Sequence, residues 1–101
     1  MAKRFDKDPS AVLDYGFDLG LWLKFGETIT TSTWSVFVYT NKSGVTNPPL
    51  LNVDSNSEND TYTTCWLSGG IASVTYRVTN RIVTNQGRTD ERSFLVDCVE
   101  R

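Results

Sequence analysis

An all-β protein, folded as an antiparallel sandwich of about seven strands, is what this sequence predicts, on three observations. Tyr76, Val78 and Ile82 alternate with Arg77, Thr79 and Arg81, and Phe94, Val96 and Cys98 alternate with Ser93, Leu95 and Asp97. Successive side chains of a strand point to opposite faces, so this is the pattern of half-buried strands. A helix would need apolar residues every three or four positions. The segments between Thr63 and Val99 are also punctuated by turn formers, Gly69-Gly70 and Asn85-Gln86-Gly87-Arg88. Finally, thirteen Thr and ten Val stand against three Ala, and β-branched side chains favour strands.

With 101 residues, one domain is expected, and a chain of this length buries roughly two thirds of its unfolded surface. The expected division is an arm over residues 1–10 and a single sandwich domain over 11–101. Apolar residues make up 39% and charged residues 22%, which is a globular rather than a disordered balance. A net charge of −2 provides no strong field to draw in nucleic acid or an anionic membrane. No apolar run exceeds four residues, too short for a transmembrane helix. Met1 to Asp6 has no apolar signal-peptide core. The chain is therefore expected in a cytoplasm, or assembled there into something larger.

Met1 to Ser10 mixes Lys3, Arg4, Asp6, Lys7 and Asp8 ahead of Pro9. Mixed charge without apolar periodicity reads as an arm with no core of its own. It is either a frayed end or an arm that docks on a neighbouring subunit through Phe5. Tyr15, Phe17 and Leu19 alternate, so Leu13–Leu19 is the first expected strand. Gly20 to Leu23 breaks the pattern as a turn, with Trp22 as a plug at the core edge or, alternatively, a binding residue.

Strands are expected at Thr28–Thr31 and Thr33–Tyr39, with Trp34 as the central core aromatic because an indole buries more area than other side chains. Phe37 and Tyr39 then face away from the core, under a covering loop or at a contact surface. Thr40 to Pro49 is rich in turn formers and reads as a loop. Leu50–Asp54 reads as a short edge strand. Asp54 to Asp60 reads as a solvated turn. Its carboxylates could suggest calcium, but it lacks the glycine and the terminal Glu of a calcium loop. Strands at Thr61–Leu67, Val74–Thr84 and Arg92–Val99 complete the set. The inward faces give a core of Tyr15, Phe17, Ile29, Trp34, Val36, Cys65, Leu67, Tyr76, Val78, Ile82, Phe94, Val96 and Cys98. Asn80 falls on the same face and needs a partner, expected from a loop backbone, because an unpaired buried amide costs about 1–3 kcal/mol.

The residues offer no chemistry. The absence of His removes the commonest general base, and no Ser or Cys stands in a nucleophile elbow. Scattered carboxylates such as Asp90 and Glu91 read as hairpin flanks. No catalytic, cofactor-binding or metal-binding residue is assigned. Cys65 and Cys98, without any His, cannot complete a typical zinc site. They read as buried thiols, reduced in a cytoplasm, with a disulfide as the alternative. Arg77, Arg81, Arg88 and Arg92 could gather against nucleic acid, but Asp90, Glu91 and Asp97 on the same hairpin cancel most of that charge. Arg mixed with aromatics is equally the composition of a protein interface. The expected interface residues are Phe5, Phe37, Tyr39, Trp66, Arg77 and Arg81.

Several runs carry a resemblance. They are Asp8-Pro9-Ser10-Ala11-Val12-Leu13-Asp14-Tyr15, Asp18 to Leu23, Ser32-Thr33-Trp34, Trp66-Leu67-Ser68-Gly69-Gly70, Tyr76-Arg77-Val78-Thr79-Asn80, Gly87-Arg88-Thr89-Asp90, Arg92-Ser93-Phe94 and Val99-Glu100-Arg101. Together they resemble the small fibre–tail adaptor proteins of tailed bacteriophages. The likeness is most specific in the last forty residues. It covers nearly the whole chain except Phe37 to Pro49, which looks like an insertion, and Leu19 stands where that pattern has Trp. The resemblance implies an immunoglobulin-like or fibronectin-like sandwich. It also implies a virion structural protein, present in several copies around the neck or tail. Such a protein would contact copies of itself and tail, neck or fibre proteins, with no enzyme activity and no cofactor. Nucleic acid, membrane and small-molecule substrates are not expected as partners. The alternative is a carbohydrate- or host-surface-binding adhesion or decoration module that uses exposed Trp22, Trp66 or Tyr39.

Overall fold

In β6 (Val74–Thr84), Val74, Tyr76, Val78, Asn80, Ile82 and Thr84 are all buried and every residue between them is not. That strict two-residue period makes β6 the centre of the fold. It pairs antiparallel with β3 (Ile29–Asn41) on one side and with β7 (Thr89–Cys98) on the other. β1 (Lys3–Lys7) extends the sheet by pairing with β7 in parallel. The sheet order is β1-β7-β6-β3. β2 (Leu13–Asp18), β5 (Tyr62–Ser68) and β4 (Asn52–Glu58) form the second sheet, in the order β2-β5-β4. The computed structural model describes residues 3–100. Met1 and Ala2 of the expected arm, and Arg101 of the closing run, lie outside the described residues.

The main core lies between the sheets, where Cys65 and Leu67 of β5 meet Tyr76 and Val78 of β6 and Phe94, Val96 and Cys98 of β7. A smaller cluster of Leu19, Ile29 and Ile82 closes one end, with Trp22 and Leu23 packed against it. Trp22 is thus the expected plug, held on a single turn in which the amides of Trp22 and Leu23 both donate to the Leu19 carbonyl. Of the expected core, Tyr15, Phe17 and Trp34 are half-buried and pack against the main cluster. The others are buried. Leu51, Val74 and Leu95 are buried as well.

Four expectations need correction. Residues 3–7 are a strand rather than an arm without a core. Charge hid this, because the Arg4 guanidinium forms a two-pronged ion pair with Asp97 on β7. Lys7 is fully buried, with its ammonium donating to the carbonyls of Asp8 and Gly69. The sandwich is accordingly not wholly antiparallel. The two segments expected around Ser32 are one strand, β3, because a register shift between Ile29 and Thr31 absorbs the irregularity. The polar run from Asp54 belongs to β4 as far as Glu58, since it is an edge strand whose side chains are almost all exposed while its backbone pairs with β5. The turn itself is short, with the Asn59 side chain accepting from the amides of Thr61 and Tyr62. Lastly, Asn80 finds its partners on strands. Its amide nitrogen donates to Ser32 Oγ at 2.8 Å and the Thr33 carbonyl at 3.2 Å, and its oxygen accepts from Thr63 Oγ1 at 2.8 Å.

Glycine decides two contacts. A Cβ on Gly70, where φ is +101°, would meet Cys98 Sγ at 2.5 Å and Leu51 at 2.9 Å, so the Gly69-Gly70 turn fits against the core only without side chains. A Cβ on Gly16 would meet the Thr63 carbonyl at 2.2 Å and the Tyr62 ring at 2.8 Å. The substitution Gly16→Ala forces β2 off β5 and is expected to cost about 3 kcal/mol. Urea unfolding of the purified variant checks this, and unchanged stability would contradict the tight β2–β5 approach.

Candidate functional site

The strand register assembles a candidate surface on the outer face of the β1-β7-β6-β3 sheet. Phe37 pairs with Arg77, Arg77 with Leu95, and Leu95 with Arg4, so these four residues form one row across the sheet. Leu95 is buried beneath its neighbours, whereas Phe37 is 60% exposed. Tyr39, 59% exposed, falls in the register shift between Val38 and Thr40. Arg4 is committed to Asp97, and Arg81 lies 3.8 Å from Glu91 of the next strand. Arg77 has no ion-pair partner among the described residues. The outer face therefore offers two exposed aromatics beside one uncompensated cation.

Four of the six expected interface residues, Phe37, Tyr39, Arg77 and Arg81, lie on this face. Trp66 lies on the outer face of the other sheet, opposite Asp14 and Ser55 in register. Phe5 points inward, its ring centroid 5.3 Å from that of Tyr15 and 5.5 Å from that of Phe94. It lines a cleft of about 600 Å³ between the edge of β2 and the edge formed by β1 and β7. Two exposed residues escaped the sequence reading. Leu21 and Phe25 stand fully exposed on the loop that follows β2. Alternation could not find them, because they lie in a turn.

That loop is fixed by an ion pair between the buried Glu27 and the half-buried Arg88. The Arg88 guanidinium donates to both carboxylate oxygens of Glu27, at 2.5 and 2.9 Å, and to the Trp22 carbonyl at 3.1 Å. Thr84 Oγ1 and the Lys24 amide complete the shell around the carboxylate. The Arg88 guanidinium also lies 4.0 Å over the Trp22 ring, so a sugar cannot stack on that face of Trp22. These donors, Arg88 first, hold Glu27 down from an ordinary 4.5 to about 2. A carboxylate so saturated with hydrogen bonds is a structural anion rather than a proton donor.

The thiols are equally inert. Burial pushes Cys65 up to about 12, and Cys98 is raised by the same cause. Both are free and buried. Among the described residues no group of three His, Cys, Asp or Glu is placed to hold a metal. No helix among them is long and apolar enough to cross a membrane.

The comparison that decides the family is a family model described as "Podophage GP4 fiber-tail adaptor protein gp77", which matches residues 7–97. The chain belongs to this family. It is a structural adaptor of the phage virion and not an enzyme. No curated protein matches the chain. The adaptor family's match begins at Lys7, so most of β1 lies ahead of the matched span, while the Gly69-Gly70 turn and the Glu27–Arg88 pair lie inside it.

Two outcomes are expected. Because the folded state lowers the Glu27 pKa, its contribution to stability is complete above about pH 4.5 and is lost as pH falls towards 2. The variant Glu27→Gln should be less stable than the parent at pH 7 and show a shallower loss between pH 4.5 and 2, measured by urea unfolding across that range. The thiols should react with a disulfide reagent only after unfolding, when two per chain are released. A fast-reacting thiol in the native protein would contradict their burial.

Proposed function

We propose that this adaptor holds its place in the particle through the outer face of the β1-β7-β6-β3 sheet. In this reading the face seats on a tail or neck protein or on a further copy of the chain. The observation that carries it is the pairing of exposed Phe37 and Tyr39 with the uncompensated Arg77 on a rigid sheet. Aromatics and Arg supply most of the binding energy at protein interfaces. Arg77 would meet a partner carboxylate, whereas Arg81 already has Glu91 beside it. Trp66, on the outer face of the other sheet, gives a second partner a separate point of contact. We also read the sandwich as immunoglobulin-like, supported by the sheet orders β1-β7-β6-β3 and β2-β5-β4 and by the parallel first strand.

Placing negative charge on this face tests the proposal. Phe37→Asp and Arg77→Glu should each weaken seating in the particle about thirtyfold, the equivalent of about 2 kcal/mol. Both positions are surface sites, so unfolding free energy should change by no more than about 0.5 kcal/mol. Quantitative mass spectrometry of particles assembled with each variant gives the readout. Full incorporation of both variants would rule this face out as the seat.

A further inference from the structure

We infer that the cleft between β2 and the β1–β7 edge is a strand-acceptor site, which takes up an extended segment of a fibre or tail partner as a fourth strand beside β2. The inference rests on the adaptor reading and adds the place and chemistry of one contact.

The edges of the two sheets are not alike. β3 carries register shifts near both ends, and β4 carries one between Val53 and Ser55. β1 has five residues, four of them charged, whereas β2 has six, with its two carboxylates on the outer side only and Tyr15 and Phe17 facing the cleft. Irregularity, short length and charge are the usual guards against strand addition. β2 pairs with β5 in unbroken register from Leu13 to Asp18 and is unpaired on its other side. Its inward residues, Tyr15 and Phe17, remain only half-buried even though they stack with Phe5 and Phe94. The four-stranded sheet therefore overhangs the three-stranded one, and the cleft of about 600 Å³ lies beneath that overhang.

A free strand edge presents main-chain donors and acceptors at the spacing of another strand, so an extended chain matches it better than a compact ligand does. Charge specifies the segment. Asp14 and Asp18 stand on the outer side of β2, opposite Trp66 and Tyr62, and neither forms an ion pair among the described residues. An added strand would set alternate residues beside those carboxylates and the intervening ones over the aromatic floor. Lys3 and Arg92 line the facing side of the cleft, Arg92 already paired with Asp90, so the basic residues of a fitting segment fall on the Asp14 and Asp18 side and alternate with apolar ones. A second copy offering its own β2 would bring carboxylates against carboxylates, which is unfavourable across a strand pair. The occupant is accordingly a different protein of the particle.

The test measures the full-length adaptor against overlapping twelve-residue peptides that cover the fibre and tail proteins of the same particle, by fluorescence anisotropy. Amide hydrogen exchange of the bound adaptor then locates the contact. If no peptide binds, the exchange measurement is made on the complex with the intact fibre protein. Slowed exchange at residues 13–18, with basic–apolar alternation in the bound segment, supports the inference. Asp14→Lys should then weaken binding about fivefold, while Ser57→Lys on the guarded β4 edge leaves it unchanged. Protection confined to the Phe37 face overturns the acceptor site and leaves the adaptor contact standing. Binding of a glycan in the cleft without protection of β2 also overturns it. Failure of every peptide and of the intact fibre protein to bind overturns the acceptor site, while the seating face stands or falls on the incorporation of the Phe37 and Arg77 variants.

Discussion

The sandwich turns on one buried amide. Asn80 stands at the middle of β6, 2% exposed, and joins the sheets through its bond from Thr63 of β5. Its two donated bonds reach β3, to Ser32 and Thr33. An amide in a low-dielectric core must satisfy its groups or lose the cost of burying them. Only one alignment of β3, β5 and β6 does so here. Apolar packing tolerates sliding by a small fraction of a residue, but three directed bonds do not. The outer row through Phe37, Arg77, Leu95 and Arg4 inherits its alignment from this register, since β3 and β6 carry the first two of those residues.

Much of this architecture was legible because alternation is a direct physical consequence of strand geometry. β5 and β6 alternate buried with less buried residues, and their sequences announce it, whereas β7 buries Phe94, Leu95 and Val96 in succession. The edges were less legible. β4 has almost no buried face, so Asp54 to Glu58 carries the composition of a turn while its backbone carries a ladder. β1 looked like a solvated leader because its charges are satisfied from far along the chain. Arg4 finds Asp97, and Lys7 finds the Gly69 carbonyl, at separations no local pattern encodes. The outward placement of Phe37, Tyr39, Arg77 and Arg81 followed from alternation alone. The inward placement of Phe5, and the exposure of Leu21 and Phe25, depended on partners and turns that alternation does not describe.

The resemblance runs gain physical content from the same contacts. Gly69 and Gly70 form a turn that presses on Cys98 and Leu51 and presents a carbonyl to Lys7. Tyr76 donates its hydroxyl proton to the Pro49 carbonyl and accepts from the Ile71 amide, tying two loops to the central strand. Gly87 opens the hairpin that delivers Arg88 to Glu27. Each is a place where the backbone conformation or a single polar group leaves little choice of residue. None requires a reacting group, which accords with a protein whose work is to hold others in position.

The parallel pairing of β1 with β7 has a mechanical consequence. Lys3 lies beside Phe94 and Lys7 beside Cys98, so the strand that enters the fold and the strand that leaves it run side by side in one direction. A pull that draws their outer ends apart acts along both strands in opposite senses. The five register pairs between them are then loaded together in shear, whereas pulling on an antiparallel hairpin opens its bonds one after another. The Arg4–Asp97 ion pair and the buried Lys7 lie along the same line of load. Tension applied at those two ends is thus resisted by all five pairs at once, a useful property in a fibre–tail adaptor.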